Sequence, residues 1–147
     1  MTVTGQPGGP TLVPADGFGC DQNMWRLVLP VLVERFKAVM FDSVGSDPSA
    51  WGEPANSFCA TDPAMATVFA RTTFLSDSRA DLASVTVPAL VLECAQDVSA
   101  PREVGAYVHA SIPGSRLVTL AATGHCPQLS APEAVARQIA AFAGATR

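Results

Sequence analysis

Apolar positions along this chain fall in two rhythms, short continuous runs and longer stretches that recur at helical spacing, and the two alternate. The first run, residues 11–15, ends at Asp16-Gly17-Phe18-Gly19 and reads as a strand leaving into a tight turn. Asp21 is placed to cap a following helix, in which Trp25, Val28, Leu29, Leu32, Val33 and Phe36 share a side. Pro30 removes one backbone hydrogen bond and is expected to kink that helix. Residues 36–41 are apolar with little alternation, which suits a strand covered on both faces, as in a parallel sheet.

Residues 43–56 are rich in Ser, Gly, Pro and Asp, show no period, and are read as a loop or junction. Asp62-Pro63 then opens a helix in cap-then-proline order, running through Met65, Val68, Phe69 and Thr72 to about Leu75. A shorter helix fits 79–83. Strands are expected at 88–94 and 116–121, and helices at 101–111 and 131–143, the last with Val135, Ile139 and Phe142 on one face. Strands alternating with helices this long make right-handed crossovers, so the fold class is α/β: a mostly parallel sheet of about four strands flanked by helices.

Composition narrows the function classes. A chain of 147 residues fits a single domain, here residues 11–147 after a glycine-rich loose start at 1–10, and can bury about two-thirds of its unfolded surface. Only 15% of residues are charged, below the roughly 25% of an average soluble domain, which suggests that a partner surface completes the fold. Net charge is −4 and the nine Lys plus Arg are scattered, so no basic stripe points to nucleic acid. Cys20, Cys59, Cys94 and Cys126 form no C-x-x-C pair, no metal site is expected, and no cofactor is called for. The first ten residues lack a basic start with an apolar stretch, and no apolar run approaches bilayer length. A cytoplasmic protein with reduced thiols and no membrane contact is the expectation.

Open α/β sheets carry their chemistry just beyond the carboxyl ends of the strands. Asp97 follows the 88–94 strand and His125 follows the 116–121 strand, in Gly124-His125-Cys126-Pro127. A carboxylate there can hold an imidazole in the tautomer that accepts a proton, as in an acid–histidine–nucleophile triad. Asp97 could equally cap the helix near Pro101, with His125 an ordinary loop residue. The turn at Gly17 and Phe18 could aim backbone N–H groups at an oxyanion, or simply join a strand to a helix. Gly17 and Gly19 make a poor dinucleotide fingerprint, since Gln22 stands where a third glycine is needed. His109 lies within a helix and reads as packing or surface. No G-x-S-x-G or G-x-C-x-G turn occurs anywhere, so the expected base has no standard nucleophile. Cys20 at a helix start, Ser43 and Ser46 are the substitutes to consider, although Cys20 fits equally well as a small residue beside Trp25.

The stretches from Gly17 to Trp25 and from Phe41 to Ser46, then Thr73-Phe74-Leu75-Ser76-Asp77, Arg79-Ala80-Asp81-Leu82, Val87-Pro88, Gln96-Asp97, Tyr107-Val108-His109 and the run from Gly124 to Glu133 resemble RsbQ-type α/β-hydrolases, relatives of the plant karrikin and strigolactone receptors. The resemblance implies that Asp97 is the triad acid, His125 the triad base and Phe18 the oxyanion-hole amide. It also implies an internally shortened chain, with a front part at 11–46, a junction at 47–57 and a back part at 58–147. The nucleophile strand, elbow serine, next strand and lid would be missing. Where family members have His-Gly before the oxyanion turn, this chain has Asp16-Gly17, which puts a negative charge near a developing oxyanion. The expectation is a hydrolase relative that is weak or inactive toward a small acyl or ester ligand and self-associates through exposed sheet edges. The alternatives are an active esterase using Cys20, Ser43 or Ser46, a regulatory or interaction module, or an unrelated α/β binding domain. Whether Asp97 and His125 meet separates the last from the rest.

Overall fold

Pro30 decides the first helical region. Without an N–H it cannot donate to the preceding turn, so the chain forms a 3₁₀ turn, Gln22–Trp25, and then restarts as α1, Leu29–Leu32, with the proline in the first turn where its missing donor costs nothing. The expected kinked helix is therefore two short ones. Asp21 caps the first: its carboxylate accepts from the Asn23 backbone N–H at 2.8 Å, and it is only 5% exposed. The computed structural model describes residues 1–15, 17, 20–41 and 62–146, and the chain divides into two units, Met1–Ser76 and Asp77–Arg147.

The first unit holds a three-stranded sheet ordered β1-β3-β2, from β1 (Thr2–Gly5), β2 (Thr11–Leu12) and β3 (Lys37–Met40). β2 runs parallel to β3, and β1 antiparallel, in register from Thr2 opposite Met40 to Gly5 opposite Lys37. The N-terminal residues expected to be loose thus supply a strand. Its four residues are all exposed, so it joins by backbone pairing alone and shows no hydrophobic pattern. β3 alternates, with Ala38 and Met40 buried and Lys37 and Val39 partly so, in place of the uniform burial expected from its run. Leu29, Ala38 and Met40 form a cluster against which Trp25 and Val33 pack, and Val28 and Phe36 are the largest fully buried side chains. The last element of this unit is α2 (Pro63–Leu75), started by the Asp62 carboxylate accepting from Ala64 and Met65 N–H groups with Pro63 at its first position, as the sequence indicated.

The second unit opens with a 3₁₀ helix, Arg79–Ser84, and continues as β4 (Leu90–Gln96), α3 (Arg102–Ser111), β5 (Arg116–Thr123), α4 (Pro127–Ser130) and α5 (Pro132–Ala145). β4 and β5 form a parallel pair joined through α3, the strand–helix–strand crossover that the sequence pattern predicted. Cys94, Ile112, Leu120, Val135 and Ala136 are its buried apolar residues. Across both units the described residues contain five strands where about four were expected, and two of the three pairings are parallel. The expected junction at 47–57 lies outside the described residues. No described helix is long and apolar enough to cross a membrane.

Phe36 is 2% exposed and closes the core of the first unit. Phe36→Ala is expected to lower unfolding stability by about 3–5 kcal/mol, read as a shift of the urea midpoint with an unchanged slope. A shift near zero would mean that the site is not a packed core.

Candidate functional site

Two loops at the carboxyl ends of β4 and β5 bring Asp97 and His125 together. After β4 the chain turns on Asp97 itself, whose Oδ1 accepts from the backbone N–H of Ser99 at 2.8 Å and of Ala100 at 3.0 Å. That leaves Oδ2 for His125 Nδ1, 2.8 Å away. Of the two roles that were alternatives on sequence, the structure shows the contact with the histidine. The other Asp97 oxygen closes the loop before α3 and does not cap that helix, whose N-cap position is Pro101 with no side-chain capping hydrogen bond.

The histidine is delivered by its neighbours in sequence. Gly124 adopts φ +92°, a left-handed conformation that costs a β-carbon residue, and its N–H donates to the Gln96 carbonyl at 2.7 Å. This turn swings the next residue, His125, back toward the loop that follows β4. The short helix α4, which the sequence reading missed, begins directly afterwards at Pro127. Its signal was the proline at its first position, too brief a stretch to show a period.

Electrostatics fix the proton. The His125 hydrogen bond, then the Ala100 and Ser99 N–H groups, hold the Asp97 carboxyl below its usual range despite partial burial, so it is ionised at neutral pH. An ionised carboxylate only accepts. In the neutral imidazole Nδ1 therefore carries the proton, and Nε2 keeps the lone pair that can take one from a substrate or water. Asp97 is sheltered, with 8% of its side chain exposed, whereas His125 is 60% exposed. Burial first, then the Asp97 charge, push the thiols of Cys94 and Cys126 up, with Cys126 adding to the shift at Cys94. Both are thiols at neutral pH, and neither offers His125 a thiolate nucleophile.

A cavity of about 160 Å³ adjoins the pair, lined by Glu93, Asp97, Ala100, Gly105 and His125 among others. It is smaller than the roughly 300–1,000 Å³ of sites that enclose a drug-sized ligand. An apolar depression of about 500 Å³ lies elsewhere in the same unit, between the 79–84 helix and α3, with Leu82, Val104 and Tyr107 on its walls. Its volume is ligand-sized, but none of the catalytic candidates lines it. Beside it Arg79 clasps Asp77 through two hydrogen bonds, at 2.8 and 2.6 Å, which draws the Asp77 carboxyl down to about 2.

The remaining candidates divide. Gly17 and Cys20 belong to the first unit, where the Cys20 N–H donates to the Gly17 carbonyl at 3.2 Å and closes the turn that leads into the 3₁₀ helix. Phe18, Ser43 and Ser46 lie outside the described residues, as do Asp16 and Cys59. His109, read as packing or surface, stands in the last turn of α3 with Nδ1 2.8 Å from Ser115 Oγ, which also reaches the His109 carbonyl at 3.1 Å and caps that helix end. Among the described residues no group of three or more His, Cys, Asp or Glu is arranged to hold a metal ion.

A sequence profile described as "Alpha/beta hydrolase family" matches residues 4–138. Strigolactone esterase D14 of Arabidopsis thaliana is 39% identical over 97 residues, 65% of this chain and 36% of the relative. Karrikin insensitive 2 receptor IA of Petunia hybrida is 42% identical over 64 residues, 43% of this chain and 23% of the relative. The aligned chain thus spans little more than a third, at most, of the length of these curated relatives. A hydrolase from Oleispira antarctica superposes with a TM-score of 0.87 at 23% identity, covering 96% of this chain and 93% of that one, a likeness of fold.

The sign of the pH dependence follows from Asp97. Its carboxyl is lowered in the folded state, so the stabilisation from its pairing is present above the ordinary carboxylate range and is lost as pH falls through the folded value. Urea midpoints of the wild type and Asp97→Asn should therefore differ at pH 7 and converge in acid. A gap that persists unchanged to pH 2 would show that the charge of Asp97 is not what stabilises the loop.

Proposed function

Since the chain belongs to the alpha/beta hydrolase family, we propose that it carries the acid and base of a serine-hydrolase triad, Asp97 and His125, without the elbow serine they would serve, and that its ester turnover is residual. The observation that carries this reading is the 2.8 Å bond from His125 Nδ1 to Asp97, which leaves Nε2 poised as a general base. Against efficient catalysis stands the sequence, which has no G-x-S-x-G turn to present a nucleophile to that base.

Magnitudes agree with a low rate. A triad enzyme deprived of its nucleophile keeps on the order of 10³–10⁴ over the water rate, supplied by binding and the oxyanion hole. Here the imidazole is 60% exposed, so water competes for Nε2 and screens the charges that would develop in the transition state. A small ester is the ligand class that suits the pair, and the esterase name borne by the Arabidopsis relative supports that class. The low charge content supports a second part of the proposal: copies of this chain associate through strand edges.

Hydrolysis of a short-chain nitrophenyl ester tests the catalytic part, comparing wild type with His125→Ala, Cys20→Ala, Ser43→Ala and Ser46→Ala. We expect slow turnover with no acyl-enzyme burst, and no loss of rate in any of the three nucleophile variants. A burst abolished by His125→Ala and by one nucleophile variant would overturn the reading and name a rebuilt active site. Light scattering on the eluting peak from size exclusion tests the association: the expected mass exceeds one chain, and a strictly monomeric mass at every concentration rejects it.

A further inference from the structure

The two strands that carry Asp97 and His125 are tied to each other by side chains as well as by backbone. Glu93 and Thr119 stand directly opposite in the β4–β5 register, and the Thr119 hydroxyl donates to Glu93 Oε1 at 2.7 Å. Past the register shift that follows Cys94, Gln96 and Thr123 are opposite, and the Thr123 hydroxyl donates to Gln96 Oε1 at 3.1 Å. Asp97 is the next residue after the second tie on β4, and His125 is two residues beyond it on β5.

Glu93 is an unusual choice for the inner of these ties. Its side chain is 8% exposed, and a buried carboxylate works against stability unless it is well paired. Its pairing is incomplete: Arg102 Nε approaches Oε1 at 3.4 Å, and Oε2 has no hydrogen-bond partner among the described residues. Oε2 rests instead against α3 at Gly105, where a β-carbon would collide with it. A valine at 93 would pack such a strand without leaving an oxygen unpaired. What the carboxylate adds is direction, because one group touches β5 through Thr119, α3 through Arg102, and the Gly105 backbone at the same time.

We propose that Glu93 is a positioning residue for the Asp97–His125 pair, a strut that fixes β4 against β5 and against α3 so that the carboxylate and imidazole meet. The span it fixes includes the whole Asp97 loop, since Glu93 lies before that loop and Arg102 and Gly105 lie after it. Glycine at 105 is what lets the carboxylate sit close enough to the helix to bridge all three. The inference rests on the geometry of the pair and holds whether or not the protein turns over an ester.

The test reads the pair directly, by nitrogen-15 NMR of the His125 ring, which distinguishes the Nδ1–H from the Nε2–H form, and by the titration of the Asp97 carboxyl. Thr119→Val removes the hydroxyl without changing the shape of the side chain, and Gly105→Ala pushes the Glu93 carboxylate off α3 without altering either strand. In both variants the wild-type Nδ1–H form should give way to a mixture of tautomers, and the Asp97 midpoint should rise toward the ordinary carboxylate range. Glu93→Gln keeps an Oε1 acceptor for Thr119 and should retain the wild-type spectrum, whereas Glu93→Leu, which fills a similar volume without an acceptor, should lose it. Folded Thr119→Val protein with the wild-type tautomer and the wild-type Asp97 titration overturns the proposal, and this variant decides alone if Gly105→Ala does not fold.

Discussion

The parallel register of β4 against β5 is the constraint on which the candidate site depends. Parallel strands cannot be joined by a tight turn, so the connection must run through a helix, and both strand ends then emerge on the same side of the sheet. That is why two residues 28 positions apart in sequence come within 2.8 Å. The register shift between Cys94 and Gln96 matters as much: β5 advances by one residue more than β4, from Leu120 opposite Cys94 to Thr123 opposite Gln96. Irregularities of this kind re-aim the side chains beyond them. Here the Gly124 turn and its bond to the Gln96 carbonyl take over where the ladder ends.

The site built on this register is a carboxylate–imidazole pair. Asp97 divides its two oxygens between the loop backbone and the imidazole, which keeps the carboxylate ionised and leaves the histidine one usable lone pair. Orientation and ionisation are both in place for proton abstraction. The nearby thiols are held protonated by burial and by the same carboxylate, so the chemistry that orients the base also disfavours the sulfur groups as nucleophiles. The chain belongs to the alpha/beta hydrolase family, and the part of it that aligns with the Arabidopsis relative spans 36% of that relative's length.

Sequence reasoning succeeded where the physics is local. The start of α2 was legible at Asp62-Pro63, because a capping carboxylate and a proline at the first position act over three or four residues. It failed where the outcome is set by a neighbour or by a broken rule. β1 has four exposed residues and gave no pattern to read, since it is recruited by the backbone of β3. Pro30 was seen, but a proline can kink a helix or restart one, and only the surrounding turn decided for the restart. Glu93 passed unremarked because a single acid in an apolar run looks like a solvent-facing residue until its strand has a partner on one edge and a helix on one face.

The residues by themselves determined the alternation of strands and helices, the acid and the histidine at two strand ends, and the absence of a G-x-S-x-G motif. These are matters of composition, period and adjacency, and they need no knowledge of which segments touch. The tertiary structure alone decided that Asp97 and His125 meet, which oxygen does which task, and that Glu93, Thr119 and Gly105 stand together beneath them. Hydrogen bonds act over about 3 Å, whereas the chain separates these partners by as many as 28 residues, so only the packed strands and helix could bring them within range.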